Sequence, residues 1–257
     1  MLFQIKSYLQ FLWYSKNEHA VHSPFVFSLL TKCFYDTKSK PEYIVLKNYR
    51  KSLLKNDNSI EVTDFGAGSK VFKSNTRVIA KIAKTAGITS KRAKLLYRLT
   101  HYFQPEIILE IGTSLGLATA ALALGNKNAQ VTTLEGCPET ANIAQKQFAQ
   151  FGLSNINLEI TEFNAYLSKL QPLGLKLIYF DGNHSKKATL DYFEKLLPTI
   201  TNETVWIFDD IHWSADMEEA WKTIKKHPKV TVTIDTFQWG FVFFRREQPK
   251  EHFIIRT

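Results

Sequence analysis

The sequence PEIILEIGTSLGLATAALAL, residues 105–124, decides the fold. It begins with an apolar run, residues 107–111, which only Glu110 interrupts, as is typical of a parallel strand covered on both faces. Gly112 and Gly116 follow, and glycine lets a backbone turn sharply and lets a ligand approach the main chain. The alanine- and leucine-rich residues 117–124 then favour a helix. Such a turn can hold a nucleotide-like ligand at the helix N-terminus, although it also connects elements in unrelated α/β proteins.

From residue 105 onward, short apolar runs alternate with helical patterns. The predicted strands are residues 107–111, 130–134, 156–160, 176–180 and 204–208, and the predicted helices are residues 117–124, 138–151, 165–170, 187–197 and 215–226. Two last strands, residues 230–235 and 240–245, are too close in sequence for a crossover helix and must form an antiparallel hairpin. The pattern predicts an α/β fold with a doubly wound, mostly parallel sheet of seven strands and this hairpin at its C-terminal end.

The N-terminal part has a different composition, and it predicts a helical, basic extension over residues 1–102 before a sheet domain over residues 103–257. Residues 1–105 contain 18 Lys and Arg against 6 Asp and Glu, a net charge of +12, whereas residues 106–257 carry −3. Such a region can bind an acidic partner such as nucleic acid, or it can simply be a solvated surface. Its helices can also cap a substrate site or form a homodimer contact.

A second glycine-rich stretch, residues 60–69 (IEVTDFGAGS), competes with the first. Its apolar strand is shorter, and no strand that ends in an acidic residue follows about 20 residues later, as a nucleoside site requires. We therefore predict a loop near a pocket.

Several classes of protein are disfavoured by composition. No apolar run reaches the ~18 residues that a membrane span needs, and the N-terminus lacks the cleavage site of a signal peptide. Cys33 and Cys137 lie far apart without the spacing of a metal site. These features predict reduced thiols in a cytoplasmic protein.

Acidic residues follow most of the predicted strands. Ligands in such sheets bind at the carboxyl ends of the strands, where this chain has Glu110, Glu135, Asp181 and the pair Asp209–Asp210. Glu135 lies 19 residues after Gly116, and a carboxylate at that distance can accept both hydroxyls of a ribose.

Four motifs in this order resemble class I S-adenosylmethionine-dependent methyltransferases: EIGTSLG at 110–116, Glu135, DGNH at 181–184 and DDIHW at 209–213. Within that superfamily, residues 103–247 are most similar to small-molecule O-methyltransferases related to catechol O-methyltransferase. The first ~100 residues do not resemble the shorter helical lead of that family and look more like a bacterial branch of O-methyltransferases. The resemblance implies an enzyme that transfers a methyl group to a small hydroxylated, catechol-like substrate.

The resemblance also implies residues that contact S-adenosylmethionine. Glu110, Gly112, Ser114 and Gly116 would surround its methionine part and ribose edge, Glu135 would hold the ribose hydroxyls, Asn164 and Ala165 would lie near the adenine, and Asp181 would face the cofactor.

A metal site and a catalytic base follow from the same resemblance. Metal-dependent relatives carry acidic ligands that match Asp181, Asp209 and Asp210, and three oxygen ligands suit a magnesium ion. Where many relatives have a lysine, three residues after the first Asp, this chain has His184, a suitable base near neutral pH. His212 is a second candidate. Three aromatic residues, Trp213, Phe237 and Trp239, are candidates for the wall of an aromatic substrate site.

Two alternatives remain open from the sequence. One is a methyltransferase that acts on RNA or protein and uses the basic N-terminal region as a clamp. The other is a non-catalytic module that has kept the cofactor-binding fold. A dehydrogenase is disfavoured because the turn lacks the third glycine of the dinucleotide-binding pattern.

Overall fold

The computed structural model describes residues 2–63, 65, 72, 74–170 and 174–257. The helices are α1 (Leu2–Tyr14), α2 (Pro24–Leu29), α3 (Glu42–Leu54), α4 (Ile79–Thr85), α5 (Ser90–Phe103), α6 (Leu117–Gly125), α7 (Pro138–Gln150), α8 (Phe163–Leu167), α9 (Lys186–Leu196) and α10 (Ala215–Lys226). The strands are β1 (Ser59–Glu61), β2 (Thr76–Val78), β3 (Ile107–Ile111), β4 (Gln130–Glu135), β5 (Ile156–Ile160), β6 (Leu177–Phe180), β7 (Val205–Asp209), β8 (Val232–Asp235), β9 (Trp239–Phe243) and β10 (Glu251–Ile254).

The chain divides into two compact units. The first comprises Met1–Asp36 and Leu170–Thr257, and the second comprises Thr37–Lys169. The predicted boundary at residues 102/103 is not the one that separates these units, because helices α3 to α5 belong to the same unit as β3. A role of residues 1–102 as substrate cap or dimer contact stays a prediction.

In the second unit, β3, β4 and β5 pair in parallel, with Ile111 opposite Leu134 and Glu135 opposite Ile160. This register brings the ends of β3 and β4 to the same edge, because parallel strands share a direction. Helix α6 is buried along its whole length. Its small alanine side chains allow this close packing, and their high helix propensity stabilises it.

In the first unit, the strand order is β10-β8-β9-β7-β6. Strands β6 and β7 are parallel, whereas β9 is antiparallel to both β7 and β8, which confirms the predicted hairpin. Strand β10 pairs in parallel with β8 and was not predicted. Eight strands, β3 to β10, therefore take the place of the seven expected, while the mostly parallel α/β class is confirmed.

The stretch at residues 60–69 lies only partly within the described residues. Its start, β1, pairs antiparallel with β2, which forms a separate two-stranded ribbon. Asp64 and residues 66–69, on which the predicted loop falls, lie outside the described residues. Along the described chain, no helix has both the length and the apolar character that crossing a membrane would require.

Candidate active site

The glycine turn after β3 has a backbone that ordinary residues adopt at a cost. Gly112, Ser114 and Gly116 have φ angles of 105°, 49° and 75°. The backbone N–H groups of Gly112 and Thr113 both donate to the Leu134 carbonyl, at 3.1 and 3.0 Å. The turn is therefore tied to the end of β4, and the strain at Ser114 is a feature that often marks functional sites.

The Glu135 carboxylate lies directly across from this turn. Its Oε2 accepts the backbone N–H of Ser114 at 2.8 Å, and its Oε1 accepts that of Cys137 at 2.9 Å. Two backbone donors from different loops thus fix a half-buried carboxylate at the predicted ribose position. Each oxygen accepts more than one hydrogen bond, so this carboxylate can also accept ribose hydroxyls.

Glu110 differs from Glu135 in that it is fully buried beneath the turn. Its Oε2 accepts the hydroxyls of Thr119 and Thr133, while its Oε1 has no hydrogen-bond partner among the described residues. Burial raises the pKa of Glu110 to about 8, although the two threonine hydrogen bonds oppose this shift. Glu110 is therefore largely neutral at pH 7 and supports the turn from below.

Two aromatic side chains support the turn from another side. A Cβ at Gly116 would lie 2.4 Å from Phe148 and 2.5 Å from the Tyr49 hydroxyl, so only glycine fits there. The Tyr49 hydroxyl donates to the Leu115 carbonyl at 2.9 Å, and the Tyr49 side chain is fully buried. Nothing local in the sequence indicates this role of Tyr49, because it lies 66 residues away from its partner.

The remaining predicted cofactor residues of this unit lie in the first turns of α8. Asn164 is half-buried and Ala165 is exposed, which leaves both accessible to a ligand. Phe65 was not predicted: a Cβ at Gly136, next to Glu135, would lie 2.7 Å from its ring, which is 60% exposed. An exposed aromatic ring beside the predicted ribose carboxylate is available for contact with a flat ligand.

In the first unit, the acids after β6 and β7 meet at one hydroxyl. The buried Tyr179 hydroxyl lies 3.1 Å from Asp209 Oδ2 and 3.4 Å from Asp181 Oδ2. Asp209 Oδ1 also accepts the backbone N–H of Asp210 at 2.8 Å, and Asp210 has a φ of 54°. The strand ends therefore bring Asp181 and Asp209 together, as the sequence predicts.

His184 lies beside the first of these acids. Its Nε2 is 3.6 Å from Asp181 Oδ1, an ion-pair distance, and both side chains are about a fifth to a quarter exposed. Asn183, just before it, has a φ of 48°, a left-handed conformation that asparagine tolerates better than most residues. With Nε2 facing a carboxylate, the ring favours the tautomer that leaves Nδ1 as a proton acceptor.

A methyltransferase-domain family model matches residues 109–211, the segment that carries the glycine turn, Glu135, Asp181 and His184. This segment is similar to a methyltransferase domain. No curated protein sequence matches it.

Solved structures agree on the fold of this chain. A methyltransferase from Podospora anserina bound to S-adenosylhomocysteine has a TM-score of 0.60 at 12% identity, covering 88% of this chain and 97% of that one. The O-methyltransferase TomG from Streptomyces achromogenes, in complex with S-adenosylmethionine, has a TM-score of 0.57 at 14% identity, covering 90% and 100%. An O-methyltransferase from Bacillus cereus in complex with S-adenosylhomocysteine has 0.55 at 19%, covering 81% and 92%. The predicted class I methyltransferase fold is thereby confirmed.

The predicted magnesium ligands do not form a three-carboxylate cluster among the described residues. Carboxylates suit a hard cation, but no group of three or more His, Cys, Asp or Glu side chains within the described part of the chain is placed to hold a metal ion. Asp181 and Asp209 share the Tyr179 hydroxyl instead. The magnesium site stays a prediction of the sequence, and no step below depends on it.

His212 has an environment unlike that of a base. Its Nε2 lies 2.9 Å from Asp235 Oδ2, and its Nδ1 lies 3.4 Å from Glu218 Oε2. Burial alone would lower the pKa of His212, but hydrogen bonds and charge from Asp235 and Glu218 outweigh it and raise the pKa. A carboxylate at each ring nitrogen stabilises the protonated form of His212, which favours His184 over His212 as the base.

Of the three residues predicted to line an aromatic substrate site, two pack against other side chains of the protein. Trp239 is 1% exposed and packs its ring against Tyr179, so it belongs to the core. Phe237 stacks on His212, with ring centroids 5.3 Å apart, and contacts Phe11 of α1. Trp213, 37% exposed, is the most accessible of the three, and Phe237 is half-buried.

Proposed function

We propose that this protein is an S-adenosylmethionine-dependent O-methyltransferase that acts on a small hydroxylated molecule. The observation that carries the proposal is the Glu135 carboxylate, held by the backbone N–H of Ser114 within a matched methyltransferase domain. Neighbours of the same fold named O-methyltransferases support the choice of oxygen as acceptor. The substrate class is inferred from the sequence motifs, since those neighbours are less than 20% identical to this chain.

The cofactor, when bound, supplies a methyl group on a positively charged sulfur. Glu135 would hold its ribose hydroxyls, while the half-buried Asn164 would contact its remaining polar groups. Orientation of this kind removes a large part of the activation barrier to transfer between two bound partners.

His184 would accept the proton of the acceptor hydroxyl at Nδ1 as the oxygen–methyl bond forms and the methyl–sulfur bond breaks. Its Nε2 faces Asp181, whose negative charge stabilises the imidazolium that results. Asp181 is in turn positioned by the Tyr179 hydroxyl. Trp213 is accessible to an apolar ring of the acceptor.

A homodimer contact through the N-terminal helices is supported by the outer face of α1. Leu2, Ile5, Leu9 and Trp13 recur at helical spacing and are 86%, 52%, 62% and 84% exposed. Apolar stripes of this kind commonly mark interaction surfaces.

The test is transfer of a labelled methyl group from S-adenosylmethionine to a panel of catechols and phenols, in parallel with RNA and protein acceptors. The proposal expects labelled ethers of the small molecules. Label that appears only in RNA or protein would support the alternative that uses the basic region. No label in any acceptor, despite cofactor binding, would support the non-catalytic module. Loss of turnover in EDTA, restored by magnesium, would support the predicted metal site.

A further inference from the structure

A cavity in the second unit lies between α3, α5 and the start of α6, with a volume of about 210 Å³. None of its lining residues is among the predicted cofactor contacts. An apolar cavity of about 150 Å³ can hold benzene, so this volume suits a ligand built on one ring.

The floor of the cavity is apolar. Leu46, Tyr49, Ile88, Ala93 and Leu117 line it, and each of them is at most 7% exposed. This apolar floor favours burial of a compact hydrocarbon body, since each Å² of apolar surface removed from water contributes roughly 25 cal/mol.

The rim of the cavity is cationic. Lys47 and Lys94 are exposed at its mouth, and neither has an ion-pair partner in the part of the chain that the structure describes. The Lys94 ammonium lies 5.1 Å from the centre of the Tyr43 ring, which also lines the cavity. The half-buried Arg50 is held at the rim by its hydrogen bond to the Ile88 carbonyl, at 2.5 Å.

The charge at the rim is not neutralised locally. No acidic residue of the described part of the chain lines the cavity, and burial together with the charge of nearby Arg92 lowers the pKa of Arg50. Glu42, in the first turn of α3, is engaged by the Tyr97 hydroxyl at 3.0 Å and by Lys127 at 3.5 Å. An anion at the rim would therefore reduce repulsion among cations that the protein itself leaves in place.

We propose that this cavity binds a small organic anion, with its apolar body on the floor and its carboxylate or phosphate among Lys47, Arg50 and Lys94. The site adjoins the glycine turn, because Tyr49 both lines the cavity and donates to the Leu115 carbonyl. It is distinct from the cofactor residues and does not depend on the proposed activity.

The test is calorimetry of the whole protein with phenyl phosphate as the probe, with and without saturating S-adenosylhomocysteine. We expect binding of phenyl phosphate at least tenfold tighter than that of inorganic phosphate or neutral benzyl alcohol. The double variant Lys47→Gln/Lys94→Gln should weaken it at least tenfold, and Ala93→Leu, which fills the cavity, should abolish it. Lys84→Gln, an exposed lysine of α4 outside the cavity, is the matched control and should leave it unchanged.

Three results would overturn the proposal. They are the absence of binding by phenyl phosphate, equal affinity in the double variant and the control, and displacement of the probe by S-adenosylhomocysteine. Glu135→Ala should keep phenyl phosphate binding, so a failure of the cofactor assignment is separable from a failure of this site.

Discussion

At the scale of single residues, two carboxylates near one turn have different surroundings. Glu135 accepts two backbone N–H groups and is partly open to water, whereas Glu110 is enclosed and accepts only threonine hydroxyls on one oxygen. The sequence predicts both as acids at strand ends. It could not distinguish them, because the difference lies in burial and in partners 9 to 23 residues away.

The buried Glu110 makes stability depend on pH. Its folded pKa of about 8 lies above the ordinary value of 4.5, so the folded state binds one more proton between these values and stability falls as pH rises through that range. Glu110→Gln should remove this slope, which amounts to about 1 kcal/mol per pH unit. Urea unfolding at pH 5.5, 6.5 and 7.5 measures it, with exposed Glu106→Gln as control. Parallel pH dependences in wild type and Glu110→Gln would show that Glu110 ionises normally.

His184 carries the proposed proton transfer. His184→Gln keeps the size of the side chain but removes the base, so methyl transfer should fall by roughly 10² to 10⁴. The affinity for S-adenosylmethionine should stay within about twofold, since the ring is not assigned to cofactor binding. Lys187→Gln, exposed in the first turn of α9, is the control. Full activity in His184→Gln, with the control equally active, would remove His184 as the base.

At the scale of elements, His212 joins three parts of the first unit. It contacts Asp235 at the end of β8 and Glu218 of α10, and Glu218 also accepts the hydroxyl of Ser7 in α1, at 3.1 Å. The Trp221 indole N–H adds a hydrogen bond to Asp235 at 3.1 Å. The cluster therefore holds α1 against the C-terminal strands through charge as well as through the contact of Phe11 with Phe237.

Removing the His212 imidazole should lower the free energy of unfolding. His212→Leu leaves the buried Asp235 and the half-buried Glu218 without their shared cation. Because Lys222 still pairs with Glu218 at 2.7 Å, the loss should be about 3 kcal/mol, the lower end for breaking a buried pair. Because the pKa of His212 is raised, the stabilisation is complete below about pH 6.5 and is lost as pH rises through the folded pKa. Denaturant unfolding at pH 6 and pH 9 should show the larger loss at pH 6, with exposed His22→Leu as control. An equal loss at both values would mean that the imidazole contributes packing alone.

Hydrophobic periodicity predicted most of the elements. Strands β3 and β5 and helix α10 have the predicted bounds, because their apolar patterns are local and strong. Strand β10 was missed because Glu251 and His252 are polar and exposed, and only its pairing with β8 makes the segment extended. The role of Phe237 was also missed, since nothing local shows that His212 and α1 would lie beside it.

At the scale of the whole molecule, the positive charge is concentrated in one unit. Residues 37–169 contain 18 Lys and Arg against 10 Asp and Glu, whereas the remainder contains 15 against 14. The basic excess therefore accompanies the glycine turn and the cationic cavity rather than α1 and α2. This distribution is consistent with an anionic small-molecule ligand in that unit, and it places the predicted basic region mainly outside the first helices.

The assignment of the cofactor site is tested most directly by calorimetric titration of the protein with S-adenosylmethionine. We expect one S-adenosylmethionine site per chain. Glu135→Ala should weaken binding by roughly tenfold to a hundredfold, because ribose hydroxyls lose a charged acceptor worth about 1.5–3 kcal/mol. The exposed Glu106→Ala should bind as wild type. No binding by the wild-type protein, or equal affinity in Glu135→Ala and Glu106→Ala, would contradict the assignment of the cofactor site.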